Sequence, residues 1–116
     1  MTRRRSTRAL LTAWERTAAT LADGYELGLD DWLNDVDGRR LLGEALGDDT
    51  RRAPTFRRRL AAADALVRAA TKAFPRCLWG SANAEQHGYD RTRHWFYFVV
   101  PKRHGAEFRA DLARIR

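Results

Sequence analysis

The sequence predicts an α+β fold: a mostly helical single domain, with four or five helices packed on a small antiparallel β-hairpin near the C-terminus. Three observations predict it. Apolar residues recur at spacings of three and four before Pro75, which is the helical period. Pro75 then closes that regime, because proline cannot continue a helix. Beyond it, His94–Val100 reads His-Trp-Phe-Tyr-Phe-Val-Val, aromatic or β-branched after its first residue.

The first helix is expected from about Thr7 to Ala22. Leu10, Trp14, Thr17, Ala18 and Leu21 mark its buried face, Thr7 can cap its start, and Gly24 follows its end. Gly24–Leu29 reads as a turn. A second helical stretch begins near Asp30 or Asp31, whose carboxylates suit the free amides of a first turn. Its pattern changes phase part-way: Leu29, Trp32, Leu33 and Val36 share one face, whereas Leu41, Leu42, Ala45 and Leu46 centre on a nearly opposite one. With Asp37-Gly38 between them, this predicts two short helices over 30–36 and 39–46, ended by Gly47. The alternative is one helix sandwiched between two layers.

Residues 48–54 form a polar loop. Phe56, Leu60, Ala63, Val67, Ala70 and Phe74 then draw one continuous stripe, predicting a helix over 55–74. After Pro75, residues 76–79 are a short strand expected to pair antiparallel with 94–100. Asn83-x-x-Gln86 suits a helical turn inside the connection. Gly105–Ile115 reads as a last helix with Phe108, Leu112 and Ile115 inward. The spans define a basic tail over 1–6, expected to be flexible, and one domain over 7–116.

An apolar content of 44% suffices for a core and excludes the disordered class. No segment approaches the length of a membrane span, so no membrane partner is expected. The arginine-rich start lacks the apolar stretch of a signal peptide. The single cysteine, Cys77, cannot close an intrachain disulfide, which favours a reducing, cytoplasmic setting.

The net charge is +7, and 20 of the 22 basic residues are arginine. A GC-rich genome accounts for arginine over lysine as readily as phosphate recognition does. The distribution is more informative than the total. Residues 23–50 carry nine acids against Arg39 and Arg40, and residues 51–76 carry eight bases against Asp64 alone. Either these segments neutralise one another in the fold, or they leave a basic pole free for an acidic partner.

Several constellations invite chemical readings. Asp35, Asp37, Gly38 and Glu44 fall at positions of a calcium loop, but Leu33 occupies the first ligand position and Arg39 and Arg40 oppose a cation; helix capping is the better account. His87, His94 and His104 with Tyr89, Arg91 and Arg93 hold the residue types of a metal-independent ribonuclease, without diagnostic spacing. No spacing suits zinc, and Cys77 beside Leu78 and Trp79 reads as a buried hydrophobe. No catalytic residue, metal or cofactor is therefore assigned.

The expectation that remains is a small basic binding protein for an acidic partner, with nucleic acid favoured. Its contacts would come from Arg3, Arg4, Arg5, Arg51, Arg52, Arg57, Arg58, Arg91, Arg93 and Arg103, with Trp95 and Tyr97 stacking on bases from one face of the strand. The rival expectation is a protein-interaction or regulatory accessory subunit, with a homodimer among its forms.

Overall fold

The computed structural model describes residues 5–48 and 53–116. Its elements run α1 (Thr7–Leu21), α2 (Leu29–Asp48), α3 (Ala53–Ala69), β1 (Thr71–Ala73), α4 (Ser81–His87), β2 (Val99–Pro101) and α5 (Ala106–Leu112), with a 3₁₀ turn over Trp95–Phe98 leading into β2. The fold is α+β, with five helices and one two-stranded antiparallel sheet among the described residues.

Ser6, rather than Thr7, caps α1: its hydroxyl oxygen accepts the amide of Ala9 at 3.1 Å. Leu10, Leu11, Trp14, Ala18 and Leu21 form the buried side. The chain leaves α1 through Gly24 at φ +100°, a conformation that side chains with a Cβ rarely adopt. Beyond it, the Tyr25 amide donates to the Arg103 carbonyl at 2.9 Å.

α2 is one continuous helix through Gly38, which corrects the expected pair of short helices. Its two apolar phases remain distinct: Leu29, Trp32 and Val36 are buried, and so are Leu42 and Leu46. The helix touches α1, α3, the 3₁₀ turn and α5, so both phases have something to bury against. Glycine inside a helix costs about 1 kcal/mol relative to alanine, and packing on two sides overrides that preference. The sandwiched alternative is the one realised.

α3 follows the expected stripe through Phe56, Leu60, Ala63 and Val67 but stops at Ala69, five residues early. The buried hydroxyl of Thr71 donates at 2.8 Å to the Val67 carbonyl, which also accepts the Ala70 amide at 3.2 Å in the tightened last turn. Thr71, Lys72 and Ala73 then pair with Pro101, Val100 and Val99. The expected strand over 76–79 is absent. Of that pairing there remains one backbone bond, from the Leu78 amide to the Tyr97 carbonyl at 2.8 Å.

The strand expected over 94–100 begins only at Val99. Trp95, Phe96, Tyr97 and Phe98 wind into the 3₁₀ turn, and all four are buried. The physical reason is area. An extended strand sends alternate side chains to opposite faces, and two strands offer no second layer for half the rings. A tight turn points the rings around its circumference into the core. The core joins these aromatics to Trp14, Trp32, Val36, Leu42, Leu46, Val67 and Phe108 in one cluster.

Candidate functional site

Among the described residues, the acidic and basic segments exchange one ion pair. Arg39 binds Asp64 in bidentate fashion, Nε to Oδ1 and Nη2 to Oδ2, both at 2.9 Å. The Trp14 indole N–H donates to the same Oδ1 at 2.9 Å. This bond joins a minority base of the acidic segment to the lone acid of the basic segment. The exchange therefore removes a negative charge from the basic segment and a positive one from the acidic segment. Segregation is sharpened rather than cancelled.

Several further cations, from the basic segment and from Arg91 beyond it, are held in other ways. Arg59 pairs with Glu15 of α1. Arg57 donates to the Leu46 carbonyl at 3.1 Å, satisfying an acceptor near the end of α2. Arg68 lies over the Trp95 ring at 3.9 Å, and Arg76 over Phe74 at 5.9 Å. Arg91 lies over Phe98 at 4.8 Å and donates to the carbonyls of Phe74 and Pro75 at 3.1 and 2.6 Å. Three-residue spacing in a 3₁₀ turn puts Trp95 and Phe98 on one side. Phe74 joins them, since its amide donates to the Phe98 carbonyl at 2.7 Å. Arg68, Arg76 and Arg91 thus cover one aromatic ridge. All three are exposed, and none is paired with a carboxylate among the described residues.

The other sequence-predicted contacts are dispersed. Arg3, Arg4, Arg51 and Arg52 lie outside the described residues. Arg5 is exposed and lines a small cavity with Asp35 and Gly38. Arg58 is exposed on α3, and Arg103 is exposed beside Lys102, in a shallow groove between α1 and α3. Trp95 and Tyr97 need correcting: both are buried, Tyr97 fully, so neither offers a face to a base. The guanidinium over Trp95, not the indole, meets solvent. Arg68 and Arg76 were missing from the expected contacts. The sequence signal for Arg68 was its position on the polar side of α3.

A second arrangement adjoins this ridge. Asp37 Oδ1 accepts from Arg40 Nε and Nη2 at 3.1 and 3.0 Å and from the Tyr97 hydroxyl at 2.9 Å. Arg40 also donates to Tyr97 Oη at 2.9 Å and to Glu44 at 2.9 Å. Burial raises the Tyr97 hydroxyl above its ordinary pKa, and the bond to Asp37 adds to it. The Tyr97 hydroxyl therefore stays a neutral phenol, donating to Asp37 while it accepts from Arg40. On one side of it Asp37, Trp79, Asn83, His87 and Tyr89 line a groove of about 250 Å³. On the other, Arg39, Arg40, Gly43, Glu44, Arg93, His94 and Phe96 line one of about 270 Å³.

α4 and the turn after it position the first groove. Gly88, at φ +70°, ends α4, and the Gly88 and Tyr89 amides both donate to the Ala84 carbonyl, a Schellman-type stop. Asp90 Oδ1 then accepts the amides of Thr92 and Arg93 at 2.9 and 2.8 Å. His87 stacks on Tyr89 with centroids 5.4 Å apart, and Tyr89 meets His94 edge-on at 5.0 Å. His104 belongs elsewhere: its Nδ1 lies 2.7 Å from the Pro101 carbonyl, and its ring lies against Phe108. The expected trio of histidines is thus a pair plus one.

His94 stacks on Tyr97, and its Nδ1 accepts the Asp90 amide at 3.3 Å, which requires that nitrogen to be unprotonated. Burial lowers its pKa, against Asp90 and Glu44, while Arg93 and Arg40 lower it further. A depressed histidine binds fewer protons folded than unfolded. Its contribution is complete above the ordinary value of about 6.5 and is lost as pH falls through the folded pKa. Urea midpoints of the parent should drop between pH 7 and 5 by more than those of His94→Gln.

Burial also raises the Cys77 thiol, which is inaccessible among Leu78 and the core aromatics. No group of residues suited to hold a metal occurs among the described residues. No helix among them is long and apolar enough to cross a membrane. Compared with known proteins, the chain matches no family model, no curated protein and no solved structure.

Proposed function

We propose that the protein binds a polyanion, a nucleic acid strand, through the arginine-covered ridge. The observation that carries this reading is the set of three exposed guanidiniums, Arg68, Arg76 and Arg91, seated on Trp95, Phe74 and Phe98 without a carboxylate partner among the described residues. A free arginine loses rotamer entropy when it grips a phosphate. Guanidiniums already laid on rings lose less of it. Arg91 spends one N–H of each terminal nitrogen on the Phe74 and Pro75 carbonyls and is left with single N–H groups for a phosphate. Arg68 and Arg76 make no side-chain hydrogen bond among the described residues and keep their forks for bidentate contact. An outer guanidinium face can stack on an unpaired base. Lys72, exposed on β1, adds charge beside them.

Support also comes from what the acids do. Asp64 is occupied by Arg39 and Trp14, and Glu15 by Arg59, so neither competes for the ridge. Binding is expected to come from backbone charge, with base stacking by Arg68 in place of the buried Trp95 and Tyr97.

The test is fluorescence anisotropy of nuclease-treated protein with labelled single-stranded oligonucleotides across a salt series. Binding should weaken steeply with salt. Arg68→Gln, Arg76→Gln and Arg91→Gln together should lower the slope of log affinity on log salt by about 2, since a single-strand phosphate contact contributes about 0.7. An unchanged slope sinks the ridge as the contact surface. No binding at low salt sinks the nucleic-acid reading and directs the search to a protein partner.

A further inference from the structure

We infer that the groove lined by Asp37, Trp79, Asn83, His87 and Tyr89 is a base subsite that takes guanine on a nucleic acid strand. This rests on the strand-binding reading above and adds a chemical preference to it. At about 250 Å³ the groove sits just below the ~300–1,000 Å³ of pockets for drug-sized ligands. It suits one flat ring system rather than a whole cofactor.

Its lining is aromatic. Trp79 meets Tyr97 edge-on at 6.2 Å, Tyr89 meets Tyr97 at 4.8 Å, and His87 stacks on Tyr89. Tyr97 itself is fully buried beneath these rings, and its hydroxyl is committed to Asp37 and Arg40. Trp79, Tyr89 and His87 therefore supply the ring surfaces open to a base. His87 is exposed, while Trp79 and Tyr89 are half-buried, so the site is open at one side to a strand.

The polar atoms decide which base. Asp37 Oδ1 already receives three donors, whereas its Oδ2 receives none among the described residues. Asn83 spends one of its two amide N–H groups on the Trp79 carbonyl at 2.8 Å, which directs its Oδ1 away from that bond as an acceptor and leaves its second N–H as a donor. The groove thus presents two acceptors, one of them charged. Guanine is the base whose pairing edge has two adjacent donors, N1–H and the 2-amino group. Adenine and cytosine each put an acceptor nitrogen beside their amino group, against a carboxylate. Uracil and thymine flank one N–H with two carbonyls. Reading a splayed-out base by stacking and its pairing edge is how single strands are recognised.

The grooves also connect. Asp37 lines one and Arg40 the other, and the two residues are bonded to each other. Tyr89 opens the turn that carries Arg91 to the ridge and Arg93 to the second groove. A base held at Tyr89 therefore belongs to a strand whose phosphates meet these two arginines.

The experiment compares a labelled oligouridine, the same oligomer with one central guanosine, and the same with inosine, which lacks the 2-amino donor. Guanosine should tighten binding roughly 10-fold, within the range of one well-made pair of base hydrogen bonds, and inosine should lose most of that gain. Asn83→Ala, at an exposed position of α4, should abolish the preference for guanosine, and His87→Ala, which removes a stacking surface, should weaken all three oligomers. Asp37→Asn, which trades one carboxylate oxygen for an N–H donor, should also abolish the preference for guanosine. Inosine binding as tightly as guanosine overturns the two-donor recognition. Salt-sensitive binding of all three oligomers with equal affinity overturns the subsite and leaves the ridge standing. Failure of every oligomer to bind overturns both. Displacement of the guanosine oligomer by free guanosine monophosphate at micromolar concentration, with no effect of adenosine monophosphate, assigns the groove to a free nucleotide and overturns the strand reading.

Discussion

Trp32→Ala is expected to lower the free energy of unfolding by about 3–5 kcal/mol, the range for removing a large aromatic from a core. Trp32 is completely buried and lies on the first apolar phase of α2. Its ring meets Tyr25 edge-on with centroids 5.3 Å apart, and Tyr25 in turn meets Phe108 of α5 at 5.9 Å. Its indole N–H donates to the Val99 carbonyl at 3.1 Å, fastening α2 to β2. The substitution thus leaves a cavity and removes a long-range hydrogen bond together. A domain of this size is stable by about 5–15 kcal/mol, so urea denaturation should show a large fall in midpoint with little change in slope. Trp32→Phe retains most of the volume and should fall between parent and alanine variant. If Trp32→Ala costs less than about 1 kcal/mol, α2 is not held against the C-terminal elements as described.

Asp64→Ala should cost about 3 kcal/mol, for a different reason. Asp64 and Arg39 have side chains only 17% and 13% exposed, so the pair is shielded from water. Removing the carboxylate strands a guanidinium and the Trp14 indole N–H without their acceptor. Breaking one side of a buried pair typically costs 3–5 kcal/mol, whereas replacing both members with apolar residues is often neutral. Arg39→Met with Asp64→Leu should therefore recover most of the loss. A double variant as unstable as Asp64→Ala would show that the loss comes from the Trp14 bond alone.

The contrast between these two residues shows what the sequence made legible. The stripe of Phe56, Leu60, Ala63 and Val67 has one phase and one partner surface, and periodicity located it. Trp32 and Leu42 lie on different phases of one helix, and only the surrounding layers decide whether the chain bends at Gly38. The end of α3 escaped detection because Ala70 and Phe74 continue the apolar stripe, while Thr71 leaves the helix to bond back to Val67. For Trp95–Phe98, β propensity favoured a strand, and demand for buried aromatic area produced a 3₁₀ turn.

The candidate site was legible in residue type and not in partnership. The cluster of Tyr89, Arg91, Arg93 and the neighbouring histidines was visible, and so was the arginine side of α3. Segment charges posed the choice between internal neutralisation and a free basic pole without deciding it. What spacing could not reveal is that Arg39 is spent on Asp64, twenty-five positions away, or Arg40 on Tyr97, fifty-seven positions away. Asp37–Arg40 and Arg40–Glu44 do follow helical spacing, which was the available signal for the network under the two grooves.

Cys77 turns the core into a clock. Its sulfur is the single thiol of the chain and is sealed from solvent, with burial disfavouring the reactive thiolate. An alkylating reagent meets it only in molecules whose Cys77–Phe98 region has opened. The pace of labelling then counts openings per unit time, whether the ridge and grooves outside are empty or filled. A ligand that clamps the 3₁₀ turn slows the clock, and one that docks elsewhere leaves it running.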